Sequence, residues 1–130
     1  VVSFDISLPL SALPSFISAG KAKLAQTHPD LRINCFGHVG DGNLHFNVFP
    51  PSRKKAADYK DLSSRIRHDI YDLVHDYSGS FSAEHGVGRD KVVELRRYAD
   101  PTRLQTMRAL KAALDPLNIF NPGALFAQVD

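Results

Sequence analysis

The stretch Gly37-His38-Val39-Gly40-Asp41-Gly42-Asn43-Leu44-His45-Phe46-Asn47 constrains this chain more than any other. Glycine, aspartate and asparagine tolerate the left-handed backbone of a tight reversal, and here they separate two apolar runs, Ile33 to Phe36 and Leu44 to Phe49. A β-hairpin is the expected result. With Gly40 to Asn43 as the loop, Val39 pairs with Leu44 and His38 with His45, which puts both imidazoles on one face with Cβ atoms roughly 5 Å apart. Asn47 returns to that face, while Leu44, Phe46 and Val48 point to the other, apolar one. The glycines do not make a dinucleotide loop: the next element is another strand, so no helix N-terminus stands ready for a pyrophosphate.

Around this hairpin the chain reads as strand, helix, strand, strand, helix, strand. Val1 to Leu8 alternates, with Val2, Phe4, Ile6 and Leu8 on one face. Ser11 is the expected cap of a helix from about Ala12 to Gln26, with Pro14 in its first turn. His28-Pro29-Asp30 breaks the chain before the hairpin, and Pro50-Pro51 ends the second strand. From Lys54 to Tyr77 the apolar residues Tyr59, Leu62, Ile66, Ile70, Leu73, Val74 and Tyr77 step by three and four, which predicts a long amphipathic helix stopped at Ser78-Gly79. Ser80 to Ala83 is then a last short strand. This order predicts an α+β fold over residues 1–85, a ferredoxin-like antiparallel sheet covered by two helices.

Residues 86–130 are helical in pattern. Arg89 to Tyr98 is one expected helix, and Asp100-Pro101 places a capping carboxylate before a proline at the start of another. Leu104, Met107, Leu110, Leu114 and Leu117 form its expected buried stripe, with an end near Pro116. Asn121-Pro122-Gly123 reads as a turn.

Charge and length narrow the function classes. The chain has 130 residues, with 16 basic against 14 acidic side chains and no basic block, so nucleic acid is not implied. No apolar run approaches the ~20 residues of a membrane span. The single cysteine, Cys35, lies in an apolar run and reads as a buried, inert thiol. Val1 opens directly in an apolar strand-like run with no initiator Met, which suggests the C-terminal piece of a longer protein.

The chemistry-bearing residues are His38, His45 and the pair Glu84-His85. Two neutral imidazoles and a carboxylate suit a divalent metal such as zinc, iron or manganese, with a position left for water or substrate. The plainer alternative is a cross-strand polar pair beside an exposed acid. His28, His68 and His75 have no second ligand at helical spacing and read as solvated.

Taken together, GHVGDGNLHFN at 37–47, SAEHGVG at 82–88 and Asn121-Pro122-Gly123 resemble the C-terminal domain of FAD-linked oxidases. This is the vanillyl-alcohol-oxidase type branch with D-lactate dehydrogenase, the glycolate oxidase flavin subunit and D-2-hydroxyglutarate dehydrogenase. The resemblance covers essentially the whole chain. It implies that His38, His45 and Glu84 hold a divalent metal, that His85 is the general base, that Asn47 contacts substrate, and that Asn121, in the turn that carries the tail back to the flavin domain, takes part in cofactor binding. It further implies FAD held mainly by a domain upstream of Val1, a small D-2-hydroxy acid as substrate, and a cytoplasmic or, in a eukaryote, mitochondrial protein. The fragment alone is then expected to be inactive. The oligomeric state, a homodimer included, stays open. Two positions depart from the family pattern: Ser3, where members often carry a lysine near the substrate carboxylate, and Ala124, where many have lysine after Asn-Pro-Gly. The alternatives from other classes are a non-catalytic ferredoxin-like module binding a metal or small ligand, and a metal-dependent hydrolase.

Overall fold

The computed structural model describes residues 1–51 and 60–127. They fall into two compact units, Val1–His85 and Gly86–Asp130.

In the first unit an antiparallel sheet runs in the order β1 (Val2–Ser7), β3 (Asn43–Phe49), β2 (Arg32–Phe36). Helix α1 (Leu13–Thr27) carries the chain from β1 to β2, and α2 (Lys60–Asp76) follows β3. On the other side of β1, Ser80 makes one antiparallel bridge to Ser7. The unit is therefore α+β with the ferredoxin-like strand order, but the expected strand Ser80 to Ala83 is reduced to that bridge. The N–H groups of Glu84 and His85 turn onto the Asp5 carboxylate of β1 instead of extending the ladder.

Period-two alternation decides which sheet face is packed. Phe4, Ile6, Leu44, Phe46 and Val48 are at most 2% exposed, and Phe16 and Leu24 of α1 and Ile66, Ile70 and Val74 of α2 are buried as well. Phe46 stands edge-on to Phe4 and Phe16 at centroid distances of 6.3 and 5.9 Å. Each such side chain, fully buried, stabilises the unit by about 1.5–3 kcal/mol. Tyr71, absent from the expected apolar stripe, is also core at 2%. Cys35 is half-buried on this face, opposite Phe46, and burial pushes its thiol up, so it stays protonated and unreactive near neutral pH.

Several local expectations change. Ser11 does not cap α1: Pro9 opens a 3-10 turn, Leu10–Ala12, that runs straight into the helix, so the N-cap is Ala12 without a side-chain bond. Pro14 does sit in the first turn. The beginning of the long helix, Lys54 to Tyr59, lies outside the described residues. At its end Ser78, rather than Gly79, takes the left-handed φ of +57°. Gly79 is needed for proximity, since a Cβ there would meet the Ser7 carbonyl oxygen at 2.6 Å.

The second unit holds α3 (Val92–Tyr98) and α4 (Pro101–Leu114). Asp100 caps α4 by accepting the Arg103 N–H at 2.9 Å, with Pro101 beginning the helix. The expected buried stripe is corrected: Leu104 is buried, but Leu110, Leu114 and Leu117 are 57%, 81% and 78% exposed. A unit of two short helices has too few elements to cover that face. No helix among the described residues is long and apolar enough to cross a membrane.

Beyond α4 the chain is tied by Asp115, a buried carboxylate bonded to Lys111 Nζ and to the N–H groups of Ile119 and Phe120 at 2.9 and 3.0 Å. The Lys111 ammonium, and then those two N–H donors, hold its pKa below the ordinary carboxylate range against the opposing effect of burial. Because the folded pKa is depressed, the stabilisation is complete above about pH 4 and is lost as pH falls through the folded value. Thermal melting of wild type and Asp115→Asn should therefore differ by a constant gap near neutral pH that closes only in acid. A gap that persists to low pH would show that the charge contributes nothing.

Candidate functional site

The face of the sheet away from the helices carries the polar side chains. Antiparallel pairing sets them in rows: Asp5, His45 and Phe36 in one, Ser3, Asn47 and Asn34 in the next. His45 and Asn47 therefore share a face, and the apolar Leu44, Phe46 and Val48 take the other. The hairpin register differs from the expected one. His45 lies opposite Phe36, not His38, because Val39–Asp41 form a 3-10 turn that lengthens the connection. His38 precedes that turn, outside both strands, and its carbonyl accepts the N–H of Asp41 at 2.9 Å. Gly42 closes the turn at φ +74°, pressed so near β1 that a Cβ would stand 2.3 Å from the Leu8 carbonyl oxygen.

Although they are not cross-strand partners, the two imidazoles reach the same carboxylate. His38 Nδ1 is 2.8 Å from Glu84 Oε1, and His45 Nε2 is 3.6 Å from Glu84 Oε2. Neighbouring ligands of a tetrahedral metal, with bonds near 2.0–2.2 Å, stand about 3.3–3.6 Å apart. The His45 contact lies at the upper edge of that range and the His38 contact, a hydrogen-bond distance, is shorter than it; two imidazoles with one carboxylate are donors suited to a borderline divalent ion. His45 is the sheltered member, its side chain 19% exposed, while those of His38 and Glu84 are 68% and 43% exposed.

His85 stands beside this group. Its ring stacks on His45 with centroids 5.7 Å apart and planes at 25°, and its side chain is largely open to solvent. Asn47 lies one row along the same face, half-buried. Asn121 belongs to the second unit, where it takes φ +46° and its carbonyl accepts the N–H of Ala124 at 3.1 Å.

Two residues at the centre of this arrangement are missing from the sequence-level set. Asp5 is 4% exposed: its Oδ2 accepts the N–H groups of Ala83, Glu84 and His85 at 3.2, 2.9 and 2.9 Å, and its Oδ1 accepts from Asn43 Nδ2 at 3.2 Å. Burial raises its pKa, but the donors on His85, Glu84 and Ala83 outweigh burial and hold it below the ordinary value. Asn43, 3% exposed, also accepts the His38 N–H through Oδ1 at 3.3 Å. The signal available in the sequence was a lone aspartate within a strand-like run. Among the described residues, the group of three whose ligand atoms all lie within 4.8 Å of one another is Asp5, Glu84 and His85, and the expected trio His38, His45 and Glu84 is not brought that close together. Four N–H donors already occupy the Asp5 oxygens, so Asp5 is a scaffold for the loop, and the donors open to an incoming ion are those of Glu84 and the histidines.

This α+β unit, with histidines and a carboxylate gathered on its bare sheet face, matches one known class over almost its whole length. The chain belongs to the family described as FAD linked oxidases, C-terminal domain, whose profile matches residues 1–125. It is 37% identical to D-2-hydroxyglutarate dehydrogenase of Stutzerimonas stutzeri over 123 residues, covering 95% of this chain and 26% of that protein. It is 35% identical to the glycolate oxidase subunit GlcD of Bacillus subtilis, over 95% of this chain and 26% of that subunit. It is also 29% identical to D-lactate dehydrogenase of Anaerostipes hadrus, over 93% of this chain and 25% of that enzyme. The chain thus spans about a quarter of the length of these relatives.

Proposed function

We propose that this chain forms the substrate side of an FAD-dependent D-2-hydroxy acid dehydrogenase or oxidase, with a flavin-binding domain elsewhere in the same protein. The observation that carries the reading is Glu84 reaching both His38 and His45 beside an exposed His85, on the sheet face that also bears Asn47. The named activities of the three relatives support the substrate class, since each takes a 2-hydroxy acid.

His38, His45 and Glu84 are the residues that would hold a divalent metal of the zinc, iron or manganese kind. Such an ion supplies Lewis acidity toward a substrate hydroxyl and carboxylate oxygen. FAD supplies the acceptor for the hydrogen leaving the α-carbon as hydride. The remaining work belongs to side chains of this chain. His85, with its ring open on the same face, takes the hydroxyl proton as general base. Asn47 offers its amide to the substrate one row further along the sheet, where Ser3 and Asn34 flank it. In the second unit, the turn at Asn121 and the exposed Leu114, Leu117, Ile119 and Phe120 form the part that meets the flavin domain.

Anaerobic mixing of the full-length flavoprotein with paired D- and L-2-hydroxy acids, followed by flavin absorbance, tests the reading. Bleaching by one or more D-acids and not by their L-enantiomers is expected. A flavin left oxidised by the whole panel would point instead to a non-catalytic binding module.

A further inference from the structure

We propose that Asp5 is a positioning residue that selects the working nitrogen of both His45 and His85. The inference rests on the metal and base roles proposed above and adds a residue and a mechanism to them.

Holding the 83–85 loop does not by itself require a buried charge. A neutral oxygen can accept backbone N–H groups, and burying a carboxylate costs free energy that its hydrogen bonds must offset. What a neutral oxygen lacks is a negative charge beside two imidazoles. The Asp5 carboxylate has that placement: Oδ1 is 4.0 Å from His45 Nδ1, and Oδ2 is 3.8 Å from His85 Nδ1. Both distances exceed a direct hydrogen bond, so the influence runs through space or through one bridging water.

Either route has the same consequence. A carboxylate facing Nδ1 favours the tautomer with the proton on Nδ1, leaving the lone pair on Nε2. At His45, Nε2 is turned toward Glu84 Oε2 at 3.6 Å, so Glu84 opposes Asp5 in the metal-free protein, and Asp5 sets the tautomer once an ion takes up the Glu84 charge. At His85, Nε2 becomes the nitrogen able to accept a proton. The N–H bonds to Oδ2 also fix the backbone of Glu84 and His85 against β1. One buried carboxylate thereby orients a metal-binding histidine, a proton-accepting histidine and the backbone of the bridging acid. An acidic partner behind a metal-ligating histidine is a recurring arrangement, and its loss typically weakens metal affinity by roughly 10- to 100-fold.

The test uses the full-length flavoprotein. The zinc dissociation constant of wild type and Asp5→Asn is measured by chelator competition, beside the visible spectrum of the cobalt-substituted forms. We expect zinc affinity to fall roughly 10- to 100-fold in the variant, with a changed cobalt spectrum. A purely structural role would lower the melting temperature of Asp5→Asn yet leave its zinc affinity and cobalt spectrum as in wild type, and that outcome overturns the inference alone. A wild-type protein that binds no zinc overturns the metal reading and the inference with it. Should Asp5→Asn not fold, nitrogen-15 NMR of histidine-labelled, zinc-loaded wild type decides, because only there is the Glu84 charge facing His45 Nε2 taken up by the ion. Protons on Nδ1 of both neutral His45 and His85 support the proposal, and a proton on Nε2 of either overturns it.

Discussion

Glu84→Gln should leave a folded flavoprotein that has lost its bound metal and reduces its flavin several orders of magnitude more slowly with substrate. The glutamine keeps the size of the side chain but removes the charge that both histidines approach, at 2.8 Å from His38 and 3.6 Å from His45. A metal acting as Lewis acid is worth several kcal/mol, and each 1.36 kcal/mol is tenfold in rate, so a loss of roughly 100- to 10,000-fold is expected. Glu84 is partly exposed and its carboxylate supports no core contact, so folding should survive. Metal analysis after purification without chelator checks the assignment. Wild-type metal content in Glu84→Gln would remove Glu84 from the ligand set.

His85→Asn should behave differently. Metal and flavin are retained, while flavin reduction falls by roughly 100- to 10,000-fold, the usual contribution of a positioned general base. The side chain is 67% exposed and its ring stacks against His45, so its removal disturbs little packing. Rapid mixing under anaerobic conditions separates the two variants: one lacks metal and is slow, the other holds metal and is slow. If His85→Asn reduces its flavin at the wild-type rate, the proton goes to another group.

How much of this was legible before folding differs from residue to residue. The face assignment of His45 and Asn47 was readable from period-two alternation, and it survived an incorrect register. The observed pairing of His45 with Phe36 is shifted by two residues from the expected pairing with His38, and an even shift leaves every side chain on its original face. The meeting of His38 with Glu84 was also anticipated, but by a route that did not hold, because His38 arrives from a 3-10 turn and not from a strand. The outer leucines of α4 show the opposite failure. Their spacing described an apolar stripe correctly, but spacing carries no information about what covers it, and within the second unit they stay exposed.

The α+β class, the packed face of the sheet, the Asp100 cap of α4 and the family were legible in the order of amino acids, because these depend on local periodicity, on single-residue preferences and on short ordered motifs. The hydrogen-bond partners of Asp5 and Asn43 emerge only in the folded chain. The donors that satisfy the Asp5 carboxylate lie about eighty positions away at Ala83, Glu84 and His85, and nothing local marks an aspartate in a strand as their acceptor. The same holds for the hairpin with which the chain is most strongly marked. Its glycines were plain, but whether its histidines face each other or converge on a third residue depends on turn length and on where the 83–85 loop is tied down, and those are fixed by hydrogen bonds between distant segments.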